Sequence, residues 1–182
     1  MTDRQAAGPP GSGPATRPSR AAPLVQWLAA ADPPGLMYGA IICATSLASA
    51  SLHDDGPTRV AGIAFGVVVI YWMADLYVHA LSVRFDGDTR GLVHRLASAA
   101  LHKASVIKGG VPAIVVYVLA HAAGLESTTA AYVALSFSVV ELTVVGYLGA
   151  RQAHTPRRPA LIEGVGAGLL GVVIMVAKSL LH

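Results

Sequence analysis

Five apolar runs alternate with polar, arginine-bearing stretches along the chain, at roughly 36–52, 60–83, 106–123, 130–150 and 160–181. A bilayer core of about 30 Å takes about 20 helical residues to cross. The pattern therefore predicts an all-α, polytopic membrane bundle of five transmembrane helices. The first run, LMYGAIICATSLASASL, is the shortest. Its Ser, Thr and Ala suit a helix packed inside a bundle better than one bathed in lipid.

The polar stretches divide the rest. Residues 1–23 (MTDRQAAGPPGSGPATRPSRAAP) hold too little apolar surface to offset the entropy of ordering and read as a disordered cytoplasmic tail. They have no signal-peptide core. Residues 24–182 form the membrane domain. Within it, Leu24–Ala31 reads as a short interfacial helix anchored by Trp27 and stopped at Pro33-Pro34-Gly35. Residues 89–105 carry Leu92, Val93, Leu96, Ala97, Ala100 and Leu101 at helical spacing, with His94, Arg95, Ser98, His102 and Lys103 largely opposite. That pattern predicts an amphipathic helix on the cytoplasmic surface, capped by Asp88. Gly109-Gly110 is expected to turn the chain, with Pro112 near the start of the third span.

Charge gives the orientation. Eleven of the 13 Lys and Arg fall in the tail, in the stretch between runs two and three, and in that between runs four and five. Only Arg59 and Lys178 lie on the other side. This positive-inside bias predicts an N-in, C-out protein, which requires an odd number of spans. The composition agrees: 54% hydrophobic, 13% charged, mean hydropathy +0.58, against about 25% charged residues in soluble domains. The preference for Arg over Lys and the abundance of Ala, Gly and Val fit a GC-rich bacterial genome, hence a bacterial cell membrane. The basic face suits anionic lipid headgroups and gives no sign of nucleic acid.

Enzyme motifs are absent. There is no HExxH, GxSxG, P-loop or CxxC, so neither catalytic residues, a metal nor a cofactor are expected. The single cysteine, Cys43, excludes an internal disulfide and reads as a small buried hydrophobe. HDDG at 53–56 reads as a solvated turn. FDGDTRG at 85–91 lacks the acidic twelfth position of a calcium loop.

The chemistry worth pursuing lies inside the runs. YWMADLYVHAL, residues 71–81, places Asp75 and His79 on one helical face with Val68, Tyr71, Trp72 and Ser82. A carboxylate at mid-span costs about 2.5–3.5 kcal/mol, so this face should look into the bundle. Glu141 lies in FSVVELTVVGY, on a face with Phe137, Ser138 and Val145. Asp75 is nine residues from Arg84 and Glu141 ten from Arg151, which predicts a shared depth of about 13–15 Å. His79 and Glu163 are each five residues from an arginine and are expected at one shallower level. Asp75, His79, Glu141, Glu163 and Tyr71 are thus the candidates for an ion path. Two carboxylates meeting in a dry site would share a proton or bridge a cation. The alternative is interhelical glue, with Asp75 bonded to His79 or Tyr71 and Glu141 to Ser138. In EGVGAGLLG, Gly164, Gly168 and Gly171 offer a packing surface, either within the chain or at a homodimer seam.

The Pro/Ala/Arg-rich tail, the YWxxxxYxHxL second run and the closing VVIMVAKSLLH resemble a group of small actinobacterial integral membrane proteins. The resemblance implies a membrane fold over residues 36–182 and no particular activity. In that motif a His often stands at the place of Asp75, whereas His79 fits, which shifts weight to His79 and Tyr77. Function is then expected to be a small transporter or channel for protons or cations. The alternative is a non-catalytic subunit or scaffold of a larger membrane complex, with the same residues as interhelical glue. The partner would be a second copy of the chain, in a homo-oligomer, or another membrane protein. A lipid-modifying enzyme ranks last because no nucleophile–base pair is visible.

Overall fold

The computed structural model describes residues 32–52, 56–85 and 91–181. The expected tail, the Trp27 segment, the Asp88 cap and most of the HDDG turn fall outside them. The described residues form six helices and no strand: α1 (Pro33–Ala50), α2 (Pro57–Phe85), α3 (Leu92–Lys103), α4 (Ser105–Ala122), α5 (Ser127–Gln152) and α6 (Arg157–Leu181). Four of them, α2, α4, α5 and α6, are long and apolar enough to cross a membrane. The 18-residue α1 is not one of the four.

Local chemistry sets the boundaries. α1 opens with prolines at its first two positions, where a missing N–H costs nothing. Gly56, at φ +74°, precedes α2. Gly124, at φ +92°, ends α4: its N–H bonds the His121 carbonyl, and the Leu125 N–H reaches back to Ala120. The α5–α6 turn is built the same way, with Thr155 N–H on the Ala150 carbonyl, but the left-handed residue there is His154, at φ 61°.

α1 is the hub of the bundle. It packs against α2, α4, α5 and α6, and half of its 18 residues are buried. The main core gathers Cys43, Leu47, Val60, Val68, Tyr117 and Ala134 from α1, α2, α4 and α5. Many core positions are Ala or Gly, so backbones approach closely. A side chain on Gly39 would overlap the Val106 carbonyl, and one on Gly109 the Leu36 carbonyl. Gly109 and Gly110, expected to form a turn, are therefore helical and seat α4 on α1. The turn falls instead at Ala104, and Pro112 lies inside α4.

The α5–α6 pair is the most extensive contact. Gly164 and Gly171 face α5, where a Cβ would meet the Thr143 carbonyl oxygen at 2.8 Å and Val139 at 2.9 Å. Gly168 lies directly against the Thr143 hydroxyl. These three glycines thus face a helix of the same chain. Large apolar side chains, among them Ile70, Met73, Ile162, Leu169 and Val173, point outward from α2 and α6. Apolar surface on that scale is what a lipid-facing wall requires.

α3 packs on α2 with Arg95 and Ala99 buried, while Leu92, Val93, His94 and Ser98 are exposed. Arg95 Nη1 donates to the Ala80 carbonyl at 2.9 Å. α3 thus places one basic side chain against α2 and leaves the apolar Leu92 and Val93 outward.

Candidate functional site

The chemistry-bearing side chains fall into three places. The first lies where α1 and α4 begin. A cavity of about 300 Å³ is lined there by Asp32, Tyr38, Tyr71, Asp75 and Lys103, with Val106 behind. Lys103 Nζ stands 3.3 Å from Asp75 Oδ2, both side chains partly open. The Asp32 backbone N–H donates to Ser105 Oγ at 3.0 Å, tying the two helix starts together. Asp75 therefore pairs with a lysine on α3. The expected bonding to His79 or Tyr71 is not what holds it.

The level of this cavity corrects the depth argument. Asp75 sits beside Asp32 and Gly35, at the entry of α1, because α2 continues for another ten residues past it to Phe85. Counting inward from Arg84 assumed that all helices end in one plane. α2 instead projects beyond the others and carries α3 with it. From Pro57 to Asp75 is about 28 Å at 1.5 Å per residue, close to the thickness of a bilayer core. His79 lies a turn further out, half-buried.

The second place is the middle of the bundle. Glu141 on α5 lies near Cys43 on α1, which is itself wholly buried. Gly149 of α5 packs against Pro33, so Glu141, eight residues deeper, lies about 12 Å further in. Ser138 does not serve it, since the Ser138 hydroxyl donates to the Ala134 carbonyl at 3.1 Å. Glu141 Oε2 is buried with no hydrogen-bond partner among the described residues. Asp75 and Glu141 are thus separated along the bundle by about 10 Å, the distance from Gly35 or Tyr38 to Cys43 on α1. They do not share one depth.

Glu163 occupies a third place. It lies on the rim of a cavity of about 610 Å³ between α1, α5 and α6. Tyr38 and Pro34 line both this cavity and the one holding Asp75. Glu163 therefore shares a level with Asp75, across α1, and not with His79 as expected.

Sequence reasoning passed over Lys103, Tyr38 and Lys178. Lys178 Nζ is buried, donates to Ser51 Oγ at 2.6 Å and stands 4.8 Å from the Tyr132 ring centroid. A signal for Lys103 existed: Arg95, Ala99 and Lys103 are spaced i, i+4, i+8, one face of α3. Among the described residues no group of three or more His, Cys, Asp or Glu could hold a metal ion. Comparison with protein-family models, with curated proteins and with solved structures found no match.

Proposed function

We propose that this chain is an integral membrane transport protein that moves protons or small cations, with Glu141 as the ion-binding group halfway across. The observation that carries this reading is the buried, unpartnered Glu141 Oε2. Leaving a carboxylate oxygen without a partner in a packed interior is costly, and a residue serving only as glue would be bonded. Intramembrane ionisable groups facing the interior mark ion pathways. The cavity holding Asp75, Tyr71 and Lys103 serves as the cytoplasmic vestibule, with His79 at its outer approach. In this reading α1 is the fifth, central span, the N-terminus is cytoplasmic and the C-terminus outside, in a bacterial cell membrane. Anionic lipids bind the basic inner face.

The second reading is a non-catalytic subunit of a larger membrane complex, or a homo-oligomer. It is favoured by the Asp75–Lys103 pair, which already gives Asp75 a structural partner. The test is cation flux into liposomes loaded with a pH-sensitive dye, under imposed proton and potassium gradients. Glu141→Gln is expected to abolish flux. Asp75→Asn is expected to slow it and leave it measurable, because Asp75 stands at the entrance. Folded protein that gives no flux above empty liposomes overturns transport and leaves the subunit reading.

A further inference from the structure

A second cavity lies apart from Glu141, sharing Pro34 and Tyr38 with the cavity that holds Asp75. It is a groove along α1, walled by α5 and α6, of about 610 Å³. That volume lies within the roughly 300–1,000 Å³ typical of small-molecule sites. Its surface is mostly apolar, with Met37, Ile41, Val145 and Leu170 among the lining residues. Of the described residues, two side chains bring polar chemistry to it, the Glu163 carboxylate and the Tyr38 phenol. Among the described residues, no Lys or Arg lines it.

The sign of the charge that fits follows from these groups. An anion would need donors. α1 begins at this groove, but Pro33 and Pro34 occupy its first two positions and have no N–H to offer. The arginines at the start of α6, Arg157 and Arg158, precede Glu163 by more than a turn and do not enter the lining. A cation, in contrast, meets a carboxylate at Glu163 and an aromatic ring at Tyr38, groups that attract positive charge in an apolar setting.

We propose that the groove between α1, α5 and α6 binds an amphipathic organic monocation, with its apolar body against Met37, Ile41 and Leu170 and its charge between Glu163 and Tyr38. The site does not include Glu141, so loss of flux in Glu141→Gln leaves the proposal untouched.

The test uses the full chain, purified in a nonionic detergent, and equilibrium dialysis with tetraphenylphosphonium. Tetraphenylborate, the anion of the same shape, is the control. Saturable binding of the cation and none of the anion is expected. Glu163→Gln should weaken binding by about tenfold or more and Tyr38→Leu by a smaller factor, while Glu163→Asp, which keeps the charge, should stay within a few-fold of the parent. Glu141→Gln should bind as the parent does, whatever it does to flux. Elution volume and helical circular dichroism establish that each variant is folded. Equal binding of the two probes would make the groove a slot for any apolar body and overturn the proposal. So would an unaltered affinity in Glu163→Gln, or no saturable binding of the cation.

Discussion

Lys178 and Arg95 are charged side chains with almost no exposed surface, and each is held differently. Arg95 spends one N–H on the Ala80 carbonyl. Lys178 relies on Ser51, whose own hydroxyl proton goes to the Leu47 carbonyl at 2.6 Å, which leaves a lone pair for the ammonium. Removing one partner of a buried polar pair costs more than replacing the charge with an apolar side chain of similar length. Ser51→Ala is therefore expected to destabilise the protein by about 1–3 kcal/mol, and Lys178→Met to be neutral or stabilising. Thermal unfolding in a mild detergent measures both, and a larger loss for Lys178→Met than for Ser51→Ala would contradict this account. Asp75–Lys103 is a different case. Both side chains are partly open, so a double-mutant cycle with Asp75→Asn and Lys103→Met should give a coupling of about 1 kcal/mol or less. At this scale the sequence singled out the intramembrane carboxylates by residue type alone. Asp75, Glu141 and Glu163 each line a cavity or carry an unsatisfied atom. Their partners were harder to find: the spacing of Lys103 with Arg95 and Ala99 marks a shared face of α3, but which helix that face and Tyr38 meet depends on packing that no linear pattern records.

At the scale of helices, periodicity and length located all six described elements, each within a few residues of its expected span. What periodicity could not supply was how far each helix projects and which way it turns. α2 runs past the level of its neighbours, and α3 packs on α2 with Arg95 buried. Both depend on partners distant in sequence. The glycines carry the clearest prediction here. Gly39 and Gly109 each lie against a carbonyl of the facing helix, so Gly39→Val and Gly109→Val should each force α1 and α4 apart. The expected cost is about 1–3 kcal/mol or more. Gly62, which has open space around it, is the control, and Gly62→Val should change little by comparison. The α5–α6 turn gives the opposite sign. His154 holds a left-handed conformation that costs an L-residue about 1–2 kcal/mol. His154→Gly should raise the unfolding temperature, the gain being offset in part by the greater freedom glycine has in the unfolded chain.

For the whole molecule the open quantity is the number of crossings, and α1 decides it. At 18 residues α1 is about 27 Å long, slightly less than a bilayer core. It carries hydroxyls at Thr45, Ser46 and Ser49, of which Thr45 and Ser46 bond back to the Ile41 and Ile42 carbonyls at 2.8 Å. A helix of this kind is poor as a lone span and acceptable as one surrounded by four others. Its parallel alignment with α4, fixed by Gly35 against Ser105 and by Gly39 against Val106, places its start at the same end of the bundle as the start of α4. If α4 crosses from the inside outward, as the positive-inside bias favours, and α1 crosses with it, the direction is the same and the total is five. Single-cysteine labelling in intact cells tests this, since the one native thiol, Cys43, is wholly buried. In a Cys43→Ala background, Glu126→Cys in the α4–α5 turn should react with a membrane-impermeant maleimide. Gln152→Cys at the end of α5 should react only after the cells are opened. Ser12→Cys, in the tail, separates the two counts. Protection from the outside gives an odd number of spans with α1 among them. Labelling from the outside gives four and leaves α1 as a helix that enters the bundle without crossing.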